Sequence, residues 1–97
     1  MRFEWDGDKS HRNRIKHRIS FETAILVFHD PNAVSRMESI TDGEERWQTI
    51  GVAAGIVVLL VVHTLWTKDG EDVIRNISTR KATPLERRAY EEGIEDF

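Results

Sequence analysis

The stretch RWQTIGVAAGIVVLLVVHTLWTKDG, residues 46–70, decides how the chain is read. Its middle, Ile50 to Val62, holds thirteen uncharged residues and carries Gly51 and Gly55 at the spacing that lets transmembrane helices pack closely. Thirteen are too few, because a helix needs about 20 residues to cross a bilayer. The run is also rich in valine and isoleucine, whose branched side chains favour strands, and Ala54-Gly55 interrupts it where a turn fits. The stretch therefore predicts a buried hairpin, Arg46 to Ala53 and Ile56 to Thr67, and no membrane span. Asp69-Gly70 tolerates the positive φ angles of a two-residue turn, so a third strand, Asp72 to Lys81, is expected to fold back on the second.

Upstream, Arg2 to Trp5 alternates as a short strand and Asp6 is placed to cap a helix running to about His17. Ser20 caps a second helix whose apolar stripe is Phe21, Ala24, Ile25 and Phe28, and Asp30-Pro31 ends it. Ala33 to Ile40 reads as a strand and Thr41-Asp42-Gly43 as a turn. Downstream, Thr83-Pro84-Leu85-Glu86 is a capping box that starts a third helix, Pro84 to about Glu92, and the acidic tail after Gly93 is expected to fray. The order is strand, two helices, a four-stranded meander and a last helix. That order predicts an α+β fold: an antiparallel sheet with the two N-terminal helices on one face and a C-terminal helix, leaving a sheet face free for function.

Two-residue turns at Ala54-Gly55 and Asp69-Gly70 would bring His63 opposite both Arg46 and Asn76. Alternation then assigns Arg46, Gln48, His63, Asn76, Ser78 and Arg80 to one polar face. Trp47, Thr49, Leu60, Val62, Trp66, Val73 and Ile77 fall on the other, with Arg75 at its edge. The polar set suits RNA cleavage, in which a 2′-hydroxyl attacks the neighbouring phosphate and needs a base, an acid and cations around the developing charge. His63 is expected to move protons near neutral pH and Arg46 and Arg80 to grip phosphate, with Glu45 as partner base. Lys81, Arg75, Lys16 and His17 are the expected further RNA contacts. A strand histidine satisfied by ordinary hydrogen bonding is the competing reading of His63, and Tyr90 is either a packing group or a hydroxyl near the scissile bond.

With 97 residues the chain is expected to form one domain, residues 1–97, with one modest core. Its net charge of -3 argues against a protein that coats DNA indiscriminately. Charge is segregated: Lys9, Arg12, Arg14, Lys16 and Arg18 lie in a segment with two histidines and no acid. That fits local engagement of a phosphate backbone or an acidic partner. No cysteine is present, which excludes disulfides and thiolate metal sites, and Met1 to Ser20 has no apolar core of a secretory signal, so a cytoplasmic protein is expected. The four histidines share no metal-ligand spacing, and no nucleotide-binding glycine loop or serine-hydrolase elbow occurs, so neither metal nor cofactor is expected.

Across nearly its whole length the chain resembles the BrnT family of ribonuclease toxins. The segments that carry the likeness include Phe3-Glu4-Trp5-Asp6, Lys16-His17, Ser20-Phe21-Glu22, Asp30-Pro31, Gly43-Glu44-Glu45-Arg46-Trp47, Val61-Val62-His63-Thr64, Arg80-Lys81-Ala82-Thr83 and Glu86-Arg87-Arg88. Arg18 stands where the pattern has a glycine, and Asn76 where it has an apolar residue. The resemblance implies a RelE-like fold and a toxin of a type II toxin-antitoxin system that cleaves RNA without a metal and arrests translation. It further implies a BrnA-like antitoxin of ribbon-helix-helix type that neutralises the toxin in a heteromeric complex, DNA being met only through that antitoxin. Two other readings are a non-catalytic RNA-binding module and an interaction protein whose basic first helix docks an acidic partner.

Overall fold

The computed structural model describes residues 1–94, so the acidic residues beyond Ile94 that were expected to fray lie outside it. The elements are β1 (Arg2–Glu4), α1 (Gly7–His17), α2 (Phe21–Ala24) continuing into a 3₁₀ turn (Ile25–His29), β2 (Val34–Thr41), β3 (Glu44–Ala53), β4 (Val57–Lys68), β5 (Glu71–Lys81) and α3 (Pro84–Glu92). Local chemistry sets their ends. Asp6 accepts the amides of Asp8 and Lys9 at the start of α1, and Ser20 accepts that of Thr23 at the start of α2. Thr83 and Glu86 form the reciprocal capping box of α3. At the end of α1, Arg18 adopts φ 61°, the left-handed conformation that favours glycine.

The strands form one sheet in the order β1-β5-β4-β3-β2. Every neighbouring pair is antiparallel except β1 with β5, so the expected antiparallel sheet is corrected to a mixed one. The helices that follow β1 carry the chain away from it, and β1 is rejoined only by the last strand, running parallel.

Three hairpins turn on Asp42-Gly43, Ala54-Gly55 and Asp69-Gly70, with positive φ at both residues of each. The first and third are two-residue turns, with Thr41 opposite Glu44 and Lys68 opposite Glu71. After Ala54-Gly55 the pairing instead begins at Ala53 and Val57, and Ile56 bulges outward with 88% of its surface exposed. This one extra residue moves Thr64 opposite Arg46 and Trp47 opposite His63. A second bulge, at Ile77, puts Ser78 opposite Val62 while Asn76 stays opposite His63.

The predicted faces are corrected accordingly. One face holds Trp47, Thr49, Leu59, Val61, His63, Ile74, Asn76 and Thr79. Against part of it Ile19, Ala24 and Val27 pack on Ala53, Leu59 and Val61 as the main apolar core. Full burial of side chains such as Phe21 and Leu59 contributes about 1.5–3 kcal/mol each. The second face carries Val34, Ile50 and Leu60, which pack with Ala82 and Tyr90 at the α3 end and leave the other end of that face open. The Tyr90 hydroxyl donates to Asp30 Oδ2 at 2.6 Å, and the Val52 amide donates to the same oxygen. Burial pushes the Asp30 carboxyl up, but the hydrogen bonds from Tyr90, Val52 and Asn32 outweigh it and hold the carboxyl below its ordinary value. Asp30 thus ties the 3₁₀ turn, β3 and α3 together.

Two polar devices position the helices. Asn13 on α1 donates from Nδ2 to the carbonyls of Ile19 and Thr79, and its Oδ1 accepts the Thr79 amide at 3.1 Å. Its amide therefore completes the side of β5 that the short β1 does not reach, as another strand would. Gly51 lets the 3₁₀ turn approach β3: a Cβ there would stand 2.8 Å from Val27 Cγ1 and 3.1 Å from the Val27 carbonyl. Gly51→Ala is expected to destabilise the fold by about 1–3 kcal/mol, read as a lower urea midpoint at unchanged slope.

Candidate nucleic-acid interface

The open part of the second face is built from alternate residues of four strands. Across β3, β4 and β5 run Arg46, Thr64 and Arg75 in one row, with Glu4 of β1 beyond Arg75. Two strand spacings separate the two arginine backbones, about 10 Å. The next rows carry Arg36, Gln48, Val62 and Ser78, then Arg80, while half-buried Trp66 follows Thr64 on the same face.

A cleft of about 340 Å³ lies over this region, lined by Thr41, Asp42, Glu44, Arg46, Thr64 and Ile77. The Ile77 bulge forms one of its walls, in keeping with the use of bulges to re-aim side chains beside sites. Thr64 is 3% exposed and its Oγ1 has no hydrogen-bond partner among the described residues. A buried hydroxyl without a partner is costly unless a ligand or water supplies one. The Arg46 Nε donates to Glu38 Oε2 at 3.1 Å, which steadies the guanidinium beside the cleft. Arg75 is exposed, forms no ion pair among the described residues, and borders a second cleft with Phe3, Glu4 and Trp5.

Of the residues expected to form one site, Arg46, Gln48, Ser78 and Arg80 do share a face, and Arg75 joins them there and not among the apolar residues. His63 and Asn76 lie on the opposite face, and this shared-site expectation is corrected. His63 is 4% exposed. Its Nε2 accepts from Thr49 Oγ1 at 2.7 Å, its Nδ1 donates to the Thr64 carbonyl, and its ring meets Phe28 edge to face. Burial pushes its pKa down to about 4, only partly countered by the bond to Thr64, so the ring is neutral at physiological pH.

Glu45 faces the same side as His63 and accepts from Trp47 Nε1, so it is not a partner of Arg46. Glu44, one residue earlier, lines the cleft together with the turn carboxylate Asp42, and of the two it is Glu44 that alternates with Arg46 along β3. Arg80 stands near α3 and donates both arms to Glu86, at 2.7 and 3.0 Å. That bond holds the Arg80 guanidinium above its ordinary value and the Glu86 carboxyl below its own. Lys81 ends β5 on the helix side, where Lys16 and His17 of α1 also lie. Tyr90 is a packing group bonded to Asp30.

Sequence reasoning passed over Thr64 and Glu44. Their alternation with Arg46 and Trp66 was visible, but only the correct hairpin register aligns them. Nothing in Gly55-Ile56 besides an apolar residue directly after a turn signals the bulge.

A mixed sheet with α1 and α2 on one face, and on the other arginines, a buried hydroxyl and a tryptophan beside the end that α3 covers, defines a small α+β protein suited to gripping a polyanionic strand. The family model described as "Ribonuclease toxin, BrnT, of type II toxin-antitoxin system" matches residues 5–86, and the chain belongs to that family. The crystal structure of the Brucella abortus ribonuclease toxin BrnT is similar in fold, at 20% identity and a TM-score of 0.57, over 86% of this chain and 97% of that one. Among curated proteins none matches. No described helix is long and apolar enough to cross a membrane, and the apolar run Ile50 to Val62 lies in the β3–β4 hairpin.

Proposed function

We propose that this chain is a metal-independent endoribonuclease that works in the cytoplasm, cleaves single-stranded RNA in the cleft beside Arg46, and thereby arrests translation until a BrnA-like ribbon-helix-helix antitoxin neutralises it. The observation that carries this reading is the row Arg46–Thr64–Arg75, two guanidinium groups flanking a buried hydroxyl that has no partner among the described residues. Arg46 and Arg75 hold the scissile phosphate and the negative charge that grows on it, and the Thr64 hydroxyl bonds a phosphate oxygen. The Glu44 carboxylate takes the proton of the 2′-hydroxyl, whose oxygen attacks phosphorus. The bond from phosphorus to the 5′-oxygen breaks, and water protonates that oxygen, giving a 2′,3′-cyclic phosphate and a 5′-hydroxyl. Trp66 offers a face on which a neighbouring base stacks. Arg80 supports the site from the α3 side through Glu86. Kinship of the fold with RelE-like toxins belongs to the same reading, supported by the helix-free region of the sheet.

Arg46→Ala is expected to slow cleavage of single-stranded RNA in chelator by roughly 10- to 100-fold while leaving the urea midpoint unchanged. A wild-type rate in that variant would remove the cleft from the mechanism. The burial of His63 favours one alternative, an RNA-binding module without catalysis, which stoichiometric binding with RNA left intact at every protein concentration would support.

A further inference from the structure

The cationic segment singled out in the sequence is not used by the cleft. Asn13 of α1 bonds β5 at Thr79, while Ser10 bonds the Phe21 amide and the Phe21 carbonyl accepts from Asn76. The helix therefore lies over β5 on the face opposite Arg46 and runs in the strand's direction, carrying Lys16 and His17 toward Lys81. Only Ser10 and Asn13 of the helix are buried. Lys9, Arg12, Arg14, Lys16 and Arg18 are all exposed, and none forms an ion pair among the described residues. Of the two carboxylates beside these cations, Asp6 is engaged by the helix's own amides, and Asp8, in the first turn of α1, forms no ion pair with Lys9 or Arg12 among the described residues.

We propose that α1 is a second RNA-binding surface, an exosite that holds the phosphate backbone of a long substrate after it has passed from the cleft around the β1 edge. The inference rests on RNA being the substrate. Arg75 and α1 sit on opposite faces of the same strand, β5, and only three-residue β1 lies outside it, so the way around is short. An acidic protein is the less fitting occupant. A stable protein interface needs a desolvated apolar centre, and the exposed side of α1 offers only Ile15, whereas a phosphate backbone needs only charge recurring along the helix.

The test is binding of 2′-O-methyl RNA, which cannot be cleaved, followed by fluorescence anisotropy across a salt series. It compares wild type with the combined variant Lys9→Gln, Arg12→Gln, Arg14→Gln. For an RNA of roughly 30 nucleotides, about twice the largest site of a small single-strand-binding fold, the variant should bind more weakly, with a slope of log affinity against log salt shallower by about 2. For an RNA of about four nucleotides the two proteins should bind alike. Equal slopes on the long RNA would overturn the exosite, and so would a variant that binds long RNA normally but loses a purified antitoxin. Tight, salt-steep binding by a wild type that never cleaves ordinary RNA would leave the exosite standing and defeat the ribonuclease reading instead.

Discussion

His63→Ala is expected to weaken the fold by roughly 3 kcal/mol, and any lost RNA cleavage should follow the unfolded fraction. The substitution removes an aromatic contact with Phe28 and the acceptor of the buried Thr49 hydroxyl, at a position only 4% exposed. The pH dependence distinguishes this role from a catalytic one. With a folded pKa of about 4 against an ordinary 6.5, the unfolded chain binds the extra proton first. His63 therefore contributes its full stabilisation above 6.5, and that contribution is lost as pH falls toward 4, by roughly 3 kcal/mol in all. Urea midpoints should decline across this window in wild type, and in His63→Ala the part of the decline due to His63 should vanish. A variant with an undisturbed midpoint and a collapsed kcat would restore the imidazole to the chemistry.

Asn13→Ala is expected to destabilise by about 4 kcal/mol. One side-chain amide satisfies the carbonyls of Ile19 and Thr79 and the amide of Thr79, and a methyl group leaves all three without partners. Each unpaired buried group costs about 1–3 kcal/mol, discounted where water enters after the change. Hydrogen exchange gives the local signature: the Thr79 amide should lose protection more than its neighbours on the β4 side of β5. A Thr79 amide as slow to exchange as before would show that α1 holds its place without this contact. Asn13→Asp should be no rescue, because a carboxylate presents acceptors to two carbonyls.

Most of the fold is legible in the sequence because its elements announce their own ends. Asp6, Ser20 and Thr83 are caps, and three glycines mark hairpins by permitting positive φ. The length of the Ile50 to Val62 run was enough to prefer strands over a membrane helix. What could not be read is register, since a single bulged residue inverts every face beyond it. Ile56 and Ile77 are two such residues, and they separate His63 and Asn76 from Arg46, Ser78 and Arg80. The long-range bonds of Asn13 and the meeting of Tyr90 with Asp30 were equally hidden, because each joins residues 60 or more positions apart. The candidate site was thus half readable: its arginines were found, while its hydroxyl and its carboxylate required coordinates.

The amide of Asn13 also limits how copies of this protein can join. It occupies backbone groups of β5 where a foreign strand would otherwise dock, and β1 beside it offers only three residues, whereas β2 leaves an eight-residue border unpaired among the described residues. A ribbon that can grow from one margin alone is completed by a single neighbour, so strand-to-strand association would stop at a pair and not run on into a fibre.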